Sequence, residues 1–209
     1  RQATGRPNII AFTGGFHGRT LAAASMTTST TKVRSGWQPL MAGVCFSPFP
    51  HSYRYGWSED DTVDFCLREL DHVLMTQSAP SDTAAMIIEP VQGEYGYYPA
   101  TKRFMQGLRE RCDKHGILLI ADEIQAGYGR TGRFWSHEHF DVQPDMLITA
   151  KGLASGYPLS AVAASRGDLP IELTALGTVR PLQSVAVRPR VEGELLSVNF
   201  EEGETVQKG

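Results

Sequence analysis

Three charged residues stand where apolar runs stop. Glu89 closes AAMIIE (84–89), Asp122 and Glu123 close GILLIADE (116–123), and Lys151 closes DMLITAK (145–151). A lysine amine can form a Schiff base with an aldehyde cofactor. A carboxylate can keep a pyridine nitrogen protonated, so that the ring withdraws electrons from a developing carbanion. Lys151 and Asp122 together therefore describe a pyridoxal-phosphate site. The competing reading is an ordinary ion pair, which by itself carries little meaning.

The elements around these residues favour the first reading. PNIIAF (7–12), AAMIIE, GILLIADE, DMLITAK and PLSAVAAS (158–165) are short apolar runs bounded by turn residues, the pattern of buried strands. Helical stripes fall over 62–75 and over 100–116, the latter ending on Gly116 as its C-cap. Strands alternating with helices predict an α/β fold with a mostly parallel sheet and helices on both faces. Such sheets bind ligands beyond their strand carboxyl ends. Glu89, Asp122 and Lys151 are thus expected on one edge of one sheet, with Asp122 and Lys151 a ring apart and not in contact.

Four ordered motifs carry a family resemblance: GGFHGRTLAAASMT (14–27), IIEPVQGEYGYYP (87–99), LLIADEIQAGYGRTGRFW (118–135) and DMLITAKGLASGYPLSAV (145–162). Residues 1–166 resemble the class III pyridoxal-phosphate-dependent aminotransferases. The resemblance implies the large domain of the type I fold, a homodimer, and transfer of an amino group from an amino donor to a 2-oxo acid. It implies pyridoxal 5′-phosphate on Lys151, which would also shuttle the proton, with Asp122 on the pyridinium nitrogen. Phe16 would stack on one ring face and Ile124 pack on the other. Gln125 would bond the phenolic oxygen, Glu89 would support the Asp122 network, and Glu94 would pair with a substrate-binding arginine further along.

Other residues compete for notice. Gly127-Tyr128-Gly129-Arg130-Thr131-Gly132 matches G-x-G-x-x-G, but it comes several residues after its strand, and Asp145 begins the next strand instead of ending it. A dinucleotide site is therefore not expected, and the glycines read as letting the loop pass close beneath the cofactor. His137 and His139 flank Glu138 without metal-ligand spacing and read as solvated. His17 reads as a hydrogen-bonded structural imidazole in preference to a general base. Cys112 reads as a small core residue. Phe16 has a core aromatic as its alternative, and Glu94 a solvated loop carboxylate. Tyr95, Tyr97 and Tyr98 could form an aromatic wall or lie on the surface.

The composition sets the frame. The chain has 209 residues and a net charge of -3, which argues against a nucleic-acid binder working by bulk charge. No apolar run is long enough for a membrane span. Three widely spaced cysteines and no recognisable signal peptide fit a reducing, cytoplasmic setting. Without a leading Met and with the family's phosphate-binding turn missing before Arg1, the chain is expected to be a fragment whose own activity and cofactor retention are weak. The composition breaks near 166. Residues 167–209 hold 7 acidic and 4 basic residues, which accounts for the whole net charge, and Phe200 is their one aromatic. Their β-rich pattern, ending in VEGELLSVNFEEGETVQKG, resembles the start of an efflux-pump periplasmic adaptor with half of a lipoyl-like hairpin. The sequence thus reads as two domains, 1–166 and 167–209, joined as a fusion or chimaera.

Overall fold

The computed structural model describes residues 1–164. The segment 167–209, its adaptor resemblance and the boundary at 166 lie outside the described residues.

Strand β1 (Asn8–Phe12) is followed by two short helices, α1 (Leu21–Met26) and α2 (Thr31–Arg34), and by β2 (Val44–Ser47). A single turn, α3 (Ser52–Tyr55), precedes the long helix α4 (Glu59–Thr76), and β3 (Thr83–Ile88) follows. A small antiparallel hairpin, β4 (Val91–Gln92) and β5 (Tyr98–Pro99), leads into α5 (Lys102–His115). The chain continues through β6 (Leu118–Asp122), β7 (Met146–Thr149) and β8 (Ala161–Ala164). Six strands form one sheet in the order β2-β1-β3-β6-β7-β8. All neighbours are parallel except β7 and β8. This is the mostly parallel α/β sheet expected. Strand β2 was not foreseen, because VCFS is a half-buried edge without a continuous apolar run.

Both long helices start as their sequences dictate. The Ser58 hydroxyl accepts from the Asp61 amide, and Glu59, Asp60 and Asp61 place negative charge on the first turn of α4. Thr101 caps α5 in the same way, and Gly116 ends it in the left-handed conformation at φ 61°. The two helices cover one face of the sheet. Ile10, Phe12, Met86, Ile88 and Leu119 project there against Cys66, Leu70, Val73, Phe104, Leu108 and Cys112. Phe104 stands edge-on to Phe12, with ring centroids 5.7 Å apart. Helices on both faces were expected. On the opposite face Ile9, Leu118, Ile120, Met146 and Ile148 are only half-buried among the described residues.

Two strand ends differ from expectation. β7 stops at Thr149, two residues short of Lys151, where the backbone turns left-handed at φ 45° and a short 3-10 turn begins. β8 starts at Ala161 instead of 158 and runs antiparallel.

Candidate cofactor site

β3, β6 and β7 are adjacent and parallel, so their carboxyl ends share one edge. Glu89 follows β3 directly, Asp122 is the last residue of β6, and Lys151 comes two residues after β7. A cavity of about 160 Å³ opens at this edge. Its lining includes Phe16, Glu89, Glu94, Asp122, Ile124, Gln125 and Lys151, all seven candidates singled out in the sequence, together with His17 and Gly18.

Asp122 is 3% exposed. Its Oδ1 accepts from the Ile124 amide at 3.2 Å, and its Oδ2 lies 2.9 Å from His17 Nδ1. The carboxylate accepts, so the His17 Nδ1–H donates. The His17 side chain is 2% exposed, and its Nε2 is buried without a hydrogen-bond partner among the described residues. His17 is thus a buried, hydrogen-bonded imidazole, and its attachment to Asp122 spans 105 residues of sequence.

Glu89 anchors the glycine turn that carries Phe16. Its Oε1 accepts from the Phe16 amide at 2.6 Å and its Oε2 from the Gly93 amide at 3.2 Å. Burial pushes its carboxyl up to about 7, with the nearby Asp122 charge adding to the rise; the Phe16 N–H and His17 oppose it. Lys151 Nζ donates to Gln125 Oε1. Asp122 and Lys151 therefore have separate partners on one cavity. Glu94 lies on the exposed turn between β4 and β5.

Several neighbouring residues differ from the sequence reading. His137 is not solvated. It is 5% exposed, and Glu123, fully buried, accepts from the Ser136 amide and hydroxyl and from the His137 amide and Nδ1. Burial alone would raise the Glu123 carboxyl, but the His137 and Ser136 hydrogen bonds outweigh it and hold it below its ordinary value. His139 is exposed and bonds the Thr131 carbonyl. No cluster of three potential metal ligands exists among the described residues.

The loop glycines do not line the cavity between Asp122 and Phe16. Gly127 packs under Trp135, whose ring a Cβ would meet at 2.9 Å, while Gly129 and Gly132 turn with positive φ. Asp145 accepts from Arg109 and from the Leu119 amide, which is structural work. Tyr98 packs against His51 with the rings tilted, Tyr97 is 72% exposed, and none of the three tyrosines lines this cavity. Cys66 and Cys112 are core residues whose thiols burial pushes up to about 12. No described helix is long and apolar enough to cross a membrane.

The donor set fits a pyridine aldehyde. Two buried carboxylates, Asp122 and Glu89, each fixed by hydrogen bonds, meet the same small cavity as one amine, one side-chain amide, the Phe16 ring and one branched apolar side chain. Among the described lining residues there is no second Lys or Arg for a phosphate.

Comparison with known proteins identifies the family. The family model described as "Aminotransferase class-III" matches residues 1–169. The chain is 45% identical over 163 residues to the 5-aminovalerate aminotransferase DavT of Pseudomonas aeruginosa, covering 78% of this chain and 37% of that protein. It is 42% identical over 162 residues to the 4-aminobutyrate aminotransferase GabT of Escherichia coli, with the same coverage. The taurine:2-oxoglutarate aminotransferase of Bifidobacterium kashiwanohense, solved with PLP and glutamate, superposes with a TM-score of 0.74 at 33% identity. That match covers 78% of this chain and 38% of the other. The chain thus spans little more than a third of the length of these relatives.

Proposed function

Since the chain belongs to the class III aminotransferases, we propose that the cavity at the β3–β6–β7 edge holds pyridoxal 5′-phosphate and serves transamination between an amino donor and a 2-oxo acid. The observation that carries this reading is the convergence of Phe16, Glu89, Glu94, Asp122, Ile124, Gln125 and Lys151 on one cavity.

When bound, the cofactor supplies an aldehyde conjugated to an electron-withdrawing ring. The chain's own residues do the rest. Asp122, fixed by the His17 and Ile124 N–H groups, presents a buried negative charge to a ring nitrogen and keeps its proton in place. Lys151 is the nucleophilic amine and the base that moves the proton at the substrate α-carbon. Gln125, whose Oε1 already accepts from Lys151, orients that amine, and its NH₂, with no hydrogen-bond partner among the described residues, can donate to a phenolic oxygen. Phe16 and Ile124 supply apolar surface for the ring and exclude water. Glu89 holds the Phe16 turn, and Glu94 offers a carboxylate near the substrate.

We further propose that the working enzyme is a homodimer in the cytoplasm, where the three free cysteines stay reduced. For residues 167–209 the proposal is separate and rests on sequence pattern alone: a second domain of efflux-adaptor type joined to the aminotransferase segment. A contiguous genomic read across codons 160–175 tests that junction.

The cofactor reading is tested by borohydride reduction of the full chain with pyridoxal 5′-phosphate, followed by peptide mapping. Reduction captures even a weakly held population. The adduct is expected on Lys151 and is lost in Lys151→Ala. Adducts spread evenly over Lys32, Lys102, Lys114 and Lys208, with none favoured on Lys151, would overturn the reading.

A further inference from the structure

Two non-glycine residues beside the cavity hold left-handed backbones: Tyr128 at φ 60° and Lys151 at φ 45°. Such a conformation costs roughly 1 kcal/mol or more in a residue with a side chain, and it persists only where neighbours hold it. For Lys151 the neighbour is Tyr128. The Thr149 hydroxyl, at the end of β7, donates to the Tyr128 phenol oxygen at 2.8 Å. On the other side of Lys151, Gly152 lies directly against the tyrosine. A Cβ at Gly152 would sit 2.9 Å from Tyr128 Cδ2 and 3.1 Å from its Cβ and Cγ, the end of the side chain that cannot swing away. One aromatic side chain therefore touches the chain both before and after the reactive lysine.

Tyr128 is itself held from behind. Its ring stands 5.0 Å from Trp135 and 5.6 Å from Phe134, both edge-on. Gly127 leaves no slack, since a Cβ there would meet the Glu123 carbonyl at 2.8 Å. The Glu123 carboxylate, through its four hydrogen bonds to Ser136 and His137, pins both ends of the loop that carries Tyr128. Tyr128 and Lys151 also line a second cavity, of about 320 Å³, together with Gln125 and Gly152.

We propose that Tyr128 is a positioning residue for Lys151: clamped between Trp135 and Gly152, it holds residues 149–152 in the turn that presents the Lys151 amine to Gln125 and the cavity. The proposal rests on Lys151 being the reactive amine. It adds a residue outside the lining of the cavity shared by Asp122 and Phe16, one that would act only through the lysine's backbone.

The test needs no cofactor. Trace labelling of the full chain with acetic anhydride from pH 6 to 10, read by peptide mass spectrometry, gives the reactivity of Lys151 relative to Lys102 and Lys114. Gly152→Ala is expected to change the relative labelling of Lys151 by about threefold or more, within the range by which touching residues couple, while Lys102 and Lys114 keep wild-type profiles. Tyr128→Gly accepts the left-handed backbone without strain and removes the ring. In that background Gly152→Ala should have little further effect. Tyr128→Phe keeps the ring and should preserve the sensitivity to Gly152→Ala. Unchanged Lys151 labelling in Gly152→Ala would overturn the proposal. So would an equal Gly152→Ala effect with and without the Tyr128 ring. Because labelling and the borohydride adduct are separate measurements, loss of one reading leaves the other standing.

Discussion

The helix-covered face of the sheet and its carboxyl edge are built to opposite rules. On the face, apolar side chains dominate. Ile10, Leu70, Phe104, Leu108 and Leu119 are fully buried, and the two cysteines there are inert. At the edge, Glu89, Asp122, Glu123 and His137 are buried and ionisable, His17 Nε2 has no partner among the described residues, and Tyr128 and Lys151 carry strained backbones. Buried charge and strain destabilise a fold. The edge can keep them because the face supplies the apolar burial that the edge forgoes.

That contrast is broken first at the face. Phe104 is fully buried and meets Phe12 and Phe49 edge-on. Phe104→Ala is expected to cost about 3–5 kcal/mol through lost burial and a cavity that α5 cannot close. The drop should appear as a lower urea midpoint, with the remaining folded chain still favouring Lys151 in borohydride trapping. A loss below roughly 1 kcal/mol would mean that the face does not carry the fold in the way the packing indicates.

The same contrast explains what could be read from the sequence. Continuous apolar runs ending in a charge located β3, β6 and β7 and put Glu89, Asp122 and Lys151 on one edge, because a buried parallel strand has few ways to be written. The cap at Gly116 was equally local. What escaped were pairings between distant residues. Nothing in ADEIQ tells Glu123 from a solvated carboxylate; only folding brings Ser136 and His137 over it. Tyr128 read as one letter of a glycine loop, since its contact with Gly152 depends on how that loop folds back. The strand ended at Thr149 and not at Lys151 because the backbone reverses there, and no lysine advertises a left-handed φ.

The edge itself is probed by pH. Glu89 ionises near 4.5 in an unfolded chain and near 7 when buried. Between these values the folded chain keeps a proton that the unfolded chain has released. The contribution to stability is thus full below about pH 4.5 and is lost as pH rises through 7. At about 1.4 kcal/mol per pKa unit, the loss is on the order of 3 kcal/mol. Glu89→Gln should flatten this slope, so that wild type and variant converge at low pH and separate toward pH 8 in urea unfolding. Parallel profiles from pH 4.5 to 8 would show that Glu89 is not the buried proton-holder at this edge.

The smallest effect is expected where charge meets the helix-covered face from outside. Arg111 on α5 reaches Asp71 on α4 with two bonds of 2.7 Å, from Nε to Oδ1 and from the terminal nitrogen to Oδ2. The geometry is bidentate, the best an Arg–carboxylate pair can adopt. Yet the Asp71 side chain is 50% exposed and that of Arg111 20%, so water and salt screen the pair and both side chains give up rotamer freedom to form it. A double-mutant cycle of Arg111→Ala and Asp71→Ala is expected to give a coupling of about 0.5–1 kcal/mol, falling in 1 M salt. Arg111→Ala alone should cost slightly more than the coupling, because its guanidinium also donates to the Gly107 carbonyl at 3.0 Å. A salt-insensitive coupling of roughly 3 kcal/mol would place this pair with the buried charges of the edge and erase the distinction. A coupling near the expected value would sharpen it: two charges in good geometry on the solvent side of the helices would count for less than the single proton held by Glu89 beside the cavity.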